Sequence, residues 1–440
     1  MGNCLRRRAH DPNQQVDNVP KPLSAGVDGI QLSHHKKNSM SVQRNTSSNT
    51  LKVVTNQCKN EASHHTLQKK KATLSASSLH RERQSKTEKD GYSVSPKDWS
   101  VSIVNKKDEV FGPYKLNHFS YCALKSATQK FSDKNLIGQG GFGDVYKGYI
   151  NFRTKDAAKP NDRGLAVAVK RLRSNRTQGH NEWENEVKFL SRLNHPNIVK
   201  LIGCCCEDKH RMLVYEYMIR GSLEAHLLRV FFLFQTENGT ELHWRRRISI
   251  ALGVARGLEY LHTRRKPVIH RDLKASNVLL GKDFNAKLSD FGLSKFGPQD
   301  GETSLITRVV GTRGYFAPEY FATGHLTLKT DVFSFGVVLL EIFSGCEAIK
   351  KHSDGVARDL AQWTKPHLSN KVELHRVVDK KLGSIPMEEA LDFAKVILRC
   401  LSSNPRTRPT MAEVVADLEK LQRRMDSYNS NQLHYLRTRR

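Results

Sequence analysis

The residues with the clearest chemical potential lie between Val268 and Gly292. His270-Arg271-Asp272-Leu273-Lys274-Ala275-Ser276-Asn277 is followed, after the strand-like Val278-Leu279-Leu280, by Ser289-Asp290-Phe291-Gly292. Asp272 can accept or orient the proton of an attacking hydroxyl, and Lys274 can neutralise charge on a transferred γ-phosphoryl group. Asn277 and Asp290 are oxygen donors of the kind magnesium takes. Phosphoryl transfer depends on positioning and charge neutralisation more than on covalent chemistry. That suits a set of carboxylates, an amide and an ammonium with no cysteine or serine nucleophile.

Such groups need a nucleotide held opposite them, and the sequence upstream offers a cradle. Leu136-Ile137-Gly138-Gln139-Gly140-Gly141-Phe142-Gly143-Asp144-Val145 sets glycines at 138, 140 and 143 between two apolar runs. A GxGxxG run alone also opens dinucleotide-binding units, but there a helix follows it. Here a second strand-like segment and a polar loop follow, which predicts a glycine hairpin whose N–H groups can approach phosphate oxygens. Val145 has the size to cover an adenine ring.

The strand Leu165-Ala166-Val167-Ala168-Val169 then ends in Lys170, ahead of an acidic segment in which Trp183, Val187 and Leu190 recur at helical spacing. Lys170 can reach the α- and β-phosphates while Glu186, flanking the apolar stripe, holds its ammonium. Glu182, one turn earlier, and Glu184, projecting away from the stripe, compete for that role.

These residues sit inside one folded region of a 440-residue chain. Residues 1–118 are polar, rich in Ser, Asn, Gln, His and Lys, and have neither helical nor strand period, so this stretch is expected to be disordered. Periodic apolar patterns run from Phe119 to Leu421, and 422–440 is again polar and basic. The run Val332–Phe343, interrupted by Ser334, is too short to span a bilayer and predicts a buried helix.

The formal charge of +28 raises the question of nucleic acid. Residues 1–100 hold 17 Lys plus Arg against 8 Asp plus Glu, a net of +9, leaving +19 over the other 340. With no recognition-helix, finger or RNP-like pattern, nucleic-acid binding is not expected; attraction to anionic lipid or acidic partners is. The eight cysteines form no CxxC pair or Cys/His set, so a zinc site is not expected and the thiols read as free.

The chain opens Met-Gly-Asn-Cys-Leu-Arg-Arg-Arg. Gly2 can accept a myristoyl group once Met1 is removed, Cys4 can be S-acylated, and Arg6, Arg7 and Arg8 can lie against anionic lipid. One acyl chain binds membranes only marginally, so these signals favour joint use. Arg6 stands where the acylation pattern prefers Ser or Thr. The expected location is the cytoplasmic face of the plasma membrane, otherwise the cytoplasm.

Taken in order, the glycine loop, Lys170, His270-Arg271-Asp272 and Asp290-Phe291-Gly292 resemble the eukaryotic protein-kinase family over about residues 136–421. More narrowly, the sequence is similar to plant receptor-like cytoplasmic kinases of subfamily VII. That likeness rests on Leu213-Val214-Tyr215-Glu216-Tyr217-Met218, Gly221-Ser222-Leu223-Glu224, Gly311-Thr312-Arg313-Gly314-Tyr315 and Ala317-Pro318-Glu319-Tyr320. It continues through Asp331-Val332-Phe333-Ser334-Phe335-Gly336-Val337 to Arg406-Thr407-Arg408-Pro409-Thr410-Met411.

The resemblance implies an α+β, two-lobed kinase fold with a β-rich N-lobe, an α-helical C-lobe, and ATP with Mg2+ between them. Its parts are an extension helix over 119–135, an N-lobe and hinge over 136–218, a C-lobe over 219–421 and a basic tail over 422–440. Tyr215 takes the gatekeeper place, with hinge backbone from Glu216 and Met218. Lys274 fits the serine/threonine-specific pattern, Asp331 holds the catalytic loop, and Arg408 pairs with Glu319. Implied partners are protein substrates and a membrane receptor kinase, in signalling that includes plant immunity.

The span from Asp290 to Glu319 resembles an activation loop. Arg271 can engage a phosphate on it bidentately, with Thr307 the expected activating site and Thr312 a contact of the catalytic centre. The loop departs from the family at Gln299-Asp300-Gly301-Glu302 and at Ile306-Thr307, and Val230-Phe231-Phe232-Leu233-Phe234 is an apolar run in an expected loop. The alternative to an enzyme is a kinase-like scaffold acting by partner binding. Scaffolds usually lose the strand lysine or one of the two aspartates, and Lys170, Asp272 and Asp290 all stand.

Overall fold

The computed structural model describes residues 116–141, 143–160, 164–173, 177–228, 242–299, 301–351 and 357–438. Gly2, Cys4, Phe142 and the run Val230–Phe234 lie outside the described residues, as does the expected disordered region up to residue 115.

The N-lobe is one six-stranded sheet. Its strands are β1 (Asn117–His118), β2 (Leu136–Gly140), β3 (Gly143–Ile150), β4 (Leu165–Leu172), β5 (Leu201–Glu207) and β6 (His210–Glu216), in the order β1-β5-β6-β4-β3-β2. β1 joins β5 in parallel, and every other pairing is antiparallel. Period-2 alternation splits β4 between two cores. Val167 and Val169 face outward with Ile150, Ile202, Met212 and Val214. Leu172 and Leu213 face inward with Trp183 and Val187 of α2 (Thr177–Leu190), and Lys170 lies on that inner face.

The outer face is covered from the N-terminal side by Phe119 and by Leu124 and Ala127 of α1 (Tyr121–Ala127). Within 119–135, helix covers only that segment, followed by a 3₁₀ turn at Asp133–Asn135. Residues 117–118, expected to be unstructured, are instead a strand, because the β5 edge satisfies backbone groups that composition alone leaves open.

In the C-lobe, α3 (Leu223–Leu228) and α4 (Trp244–His262) lead into β7 (Val268–Ile269), the catalytic loop, and the hairpin β8 (Val278–Leu280) with β9 (Ala286–Leu288). The activation segment pairs β10 (Lys295–Phe296) with β7, and β11 (Leu305–Ile306) with β12 (His325–Leu326) around α5 (Pro318–Thr323).

Beneath these lies α6 (Leu328–Ser344), opened by a Thr327–Thr330 capping box and buried along its length, as the apolar run predicts. The hairpin β13 (Ile349–Lys351) with β14 (Ala357–Asp359) and helices α7 (Leu360–Leu368), α8 (Met387–Cys400) and α9 (Met411–Thr438) complete the lobe. Helix α9 carries on through the segment that sequence alone leaves as a polar tail. Among the described residues no helix is long and apolar enough to cross a membrane.

Candidate active site

The glycine loop is the β2–β3 hairpin, closed by the pair Gly140–Gly143 and irregular between Leu136 and Gly138, which places Ile137 at a bulge. A Cβ at Gly141 would meet nothing within 4 Å, and one at Gly140 only the Gly143 carbonyl at 4.0 Å, so open space flanks the turn. Gly143, at φ +159, is required for another reason: its Cβ would sit 2.3 Å from the Arg171 carbonyl. Gln139 pairs with Asp144, and Val145 lies opposite Lys170 on the next strand, so the two side chains share the inner face.

Lys170 Nζ lies 2.9 Å from Glu186 Oε2 and 2.8 Å from Asp290 Oδ1. Burial works against the ammonium charge, but the Asp290 and Glu186 carboxylates outweigh it and raise the lysine above its ordinary range. Burial likewise opposes ionisation of Asp290, and Lys170 overrides it, holding that carboxyl below its ordinary value. Of the three candidate glutamates, Glu186 is the one that reaches Lys170. Glu184 pairs with His180 at 3.0 Å, and the Glu182 side chain packs against Gly292. At the hinge, Glu216 Oε1 accepts from Lys287 Nζ (2.7 Å) and the Lys200 N–H (2.8 Å), and the Glu216 N–H donates to the Lys200 carbonyl (3.1 Å). Met218 is buried and its carbonyl accepts from the Gly221 N–H.

The catalytic loop is held from below. Asp331 Oδ2 accepts from the His270 N–H (2.8 Å) and Oδ1 from the Arg271 N–H (2.9 Å), with His262 Nε2 3.0 Å from Oδ2. This fixes Arg271 at φ +70, a left-handed conformation that costs a non-glycine residue energy. Asp290 is also left-handed, at φ +63. At the reacting end, Asp272 Oδ1 accepts from Thr312 Oγ1 at 2.6 Å, and Lys274 Nζ reaches Thr312 Oγ1 and Asp272 Oδ2, each at 2.9 Å. Asn277 Nδ2 donates to the Asp272 carbonyl (2.8 Å), which leaves the amide oxygen as the atom it can offer a cation.

Arg271 carries this order into the activation segment. Its Nε donates to Tyr320 Oη (2.9 Å) and its Nη2 to Thr307 Oγ1 (2.9 Å) and the Arg308 carbonyl (2.5 Å). Tyr320 Oη also accepts from the Val310 N–H. Arg408 and Glu319 form a bidentate pair at 2.7 and 2.6 Å, the guanidinium fully buried.

Sequence reasoning missed Tyr320 as the partner of Arg271, and it missed Glu341, which accepts from Tyr315 Oη at 2.8 Å. Glu341 stands inside the apolar run of α6, and a lone carboxylate in an otherwise buried stretch was the available signal.

With this geometry in place, comparison with known proteins gives the class. Residues 131–418 match the model of the protein tyrosine and serine/threonine kinase family, and the chain belongs to that family. It is 48% identical over 338 residues to probable serine/threonine-protein kinase PBL9 of Arabidopsis thaliana, covering 76% of this chain and 81% of that protein. It is 48% identical to probable serine/threonine-protein kinase PBL10 of the same plant, over 75% of this chain and 80% of the relative. The EPD1-interacting receptor-like cytoplasmic serine/threonine-protein kinase of Nicotiana benthamiana is 50% identical over 70% of this chain and 64% of its own length. The chain is therefore a protein kinase whose relatives are serine/threonine kinases, and the scaffold alternative finds no support.

Proposed function

We propose that this kinase transfers the γ-phosphoryl group of ATP to serine or threonine hydroxyls of proteins, itself included, at the cytoplasmic face of the plasma membrane downstream of a receptor. The observation that carries the chemical part is the Thr312 hydroxyl, an aliphatic alcohol held 2.6 Å from Asp272 and 2.9 Å from Lys274. A substrate Ser or Thr hydroxyl suits the same two groups. Asp272 orients it and receives its proton, and Lys274 balances charge on the group in transit.

The residues present fit the nucleotide and its metal. Space flanks Gly140 and Gly141 where phosphates can approach main-chain N–H groups, along a loop running from Ile137 to Gly143 under Val145. The cluster of Lys170, buried Glu186 and Asp290 sets two carboxylates against one ammonium, an excess that suits a cation. Asp290 and the Asn277 amide oxygen are the donors for Mg2+, which takes one or two protein ligands and completes its shell with water and phosphate oxygens. When bound, the metal neutralises phosphate charge. Lys170, anchored by Glu186, sets the α- and β-phosphates, and main chain at Glu216 and Met218 takes the adenine edge. Replacing Asp272 by Asn is expected to abolish labelling of a generic basic protein and of the enzyme itself; full labelling by that variant would overturn the assignment.

The membrane part is supported by Gly2, Cys4 and the three arginines that follow. The receptor part is supported by the Nicotiana relative, whose name describes a receptor-like cytoplasmic kinase that interacts with EPD1. Gly2→Ala is expected to move the protein from the membrane fraction to the soluble one. An unchanged distribution would remove the tether and leave the kinase assignment standing.

A further inference from the structure

The inner face of β3 carries a charged residue with no share in the transfer step. Period-2 alternation turns Tyr146, Gly148 and Ile150 outward: the Tyr146 ring meets Phe131, a Cβ at Gly148 would touch the Ala127 carbonyl, and Ile150 sits in the outer core. Val145, Lys147 and Tyr149 therefore face inward, directly opposite Lys170, Ala168 and Ala166 of β4. Lys147 Nζ lies 4.7 Å from the centroid of the Tyr217 ring and 5.4 Å from that of Tyr149. All three side chains are half-buried.

An ammonium half out of water ordinarily turns to a carboxylate. The groups that act on this one are two tyrosines, with no carboxylate among them. Tyr149 first, then Tyr217, hold Lys147 above its ordinary range while burial opposes them, so it is charged at neutral pH. A cation over an aromatic face is drawn to the negative charge of the ring, and more strongly where water is partly excluded. The two chain segments joined in this way are not neighbours in the sheet. β3 is separated from β6 by β4, and Tyr217 follows the end of β6, between Glu216 and Met218. The contact thus ties the strand that carries Val145 to the stretch of main chain assigned to the adenine edge.

We propose that Lys147 and Tyr217 are positioning residues for the nucleotide base: their cation–π contact fixes the hinge against β3 and so sets the width of the slot that adenine enters beside Val145. The proposal rests on the kinase reading, since that reading places adenine there. Asp272, Lys274 and Thr312 are held by one another, so the contact acts on binding of the base and leaves the transfer step alone.

The test uses the full chain, with calorimetric titration of ATP–Mg2+ and of adenosine beside steady-state kinetics. Lys147→Met and Tyr217→Leu are each expected to weaken both ligands by the same factor, about three- to tenfold. KM for ATP should rise to match, with kcat within about twofold of the unaltered enzyme. The double variant should be no weaker than either single one, because both remove the same contact. Lys147→Arg keeps a cation and Tyr217→Phe keeps a ring face, so both should bind like the unaltered chain. A loss confined to ATP would make Lys147 a direct partner of the phosphates and overturn the proposal. Unchanged affinities, or losses that add in the double variant, overturn it as well. Should the unaltered chain bind ATP–Mg2+ yet label no protein, the kinase reading falls, and the binding data still decide the role of Lys147 and Tyr217.

Discussion

Asp331→Asn is the substitution whose effect the structure determines most closely. The carboxylate is 1% exposed and serves three donors: the N–H groups of His270 and Arg271 and the ring of His262. An amide of the same shape keeps one oxygen. In the orientation that still serves His270 and His262, the new NH2 faces the Arg271 N–H at about 2.9 Å, donor against donor. A charged hydrogen bond worth about 1.5–3 kcal/mol is lost and a buried N–H is left unpaired.

Arg271 is held at φ +70 by that same bond, and the strain of about 1–2 kcal/mol then favours relaxing the loop. A shift of about 1 Å at Asp272, next in sequence, costs on the order of a hundredfold in turnover. Steady-state kinetics of the purified variant should therefore show kcat down about a hundredfold with little change in KM for nucleotide. The Lys170–Glu186 and Lys170–Asp290 pairs do not involve Asp331. Stability should fall by about 2–3 kcal/mol, a drop of about 5 °C in Tm. A kcat within twofold of the unaltered enzyme would refute the claim that Asp331 sets the catalytic loop.

Thr307→Ala removes the hydroxyl that Arg271 grips at 2.9 Å and is expected to lower phosphate transfer about 5- to 30-fold; undiminished activity in the same assay would exclude Thr307 as the activating site. Arg408→Leu leaves the Glu319 carboxylate without its bidentate partner and should cost about 3–5 kcal/mol in chemical denaturation, most of it recovered when Glu319→Gln is added. Gly203→Ala puts a Cβ 2.2 Å from the Asn117 carbonyl and 2.6 Å from the Phe119 ring, so β1 should detach and hydrogen exchange should rise over residues 116–131; unchanged protection there would refute the docking of that segment. Because the folded Glu341 carboxyl titrates near 8 and the unfolded one near 4.5, the folded state holds the extra proton across that window. Stability therefore declines as pH rises from about 4.5 to 8, and Glu341→Gln should flatten that decline in thermal melts.

What the sequence made legible was the part governed by local rules. The glycine hairpin follows from three glycines between strand-like runs, and Lys170 from the end of an apolar strand. Helical period separated Glu186 from Glu184, and α6 followed from an apolar run interrupted by Ser334. What stayed hidden depends on contacts across long sequence distances. Asn117–His118 is too short to show any period and is a strand only because β5 has a free edge. Arg271 reaches Tyr320 across 49 positions, and no spacing rule connects them. Glu341 was hidden differently, since its burial is visible in the run that contains it but its partner Tyr315 is not.

The contacts of Arg271 bear on how phosphorylation at Thr307 would act. The guanidinium already holds Thr307, Arg308 and Tyr320, its backbone is fixed by Asp331, and Lys170, Glu186 and Asp290 are already assembled. A phosphate on Thr307 therefore strengthens an arrangement that exists rather than building one. Exchanging a neutral hydroxyl acceptor for a dianion raises that bond from about 1 kcal/mol to about 1.5–3 kcal/mol. The surplus of about 0.5–2 kcal/mol shifts a two-state equilibrium about 2- to 30-fold. Such a shift is graded, so the unphosphorylated enzyme should keep a few per cent or more of full activity. On the reading of Thr307 as the activating site, that basal rate would let one molecule label the first Thr307, on itself or on a neighbour, before any upstream kinase had acted.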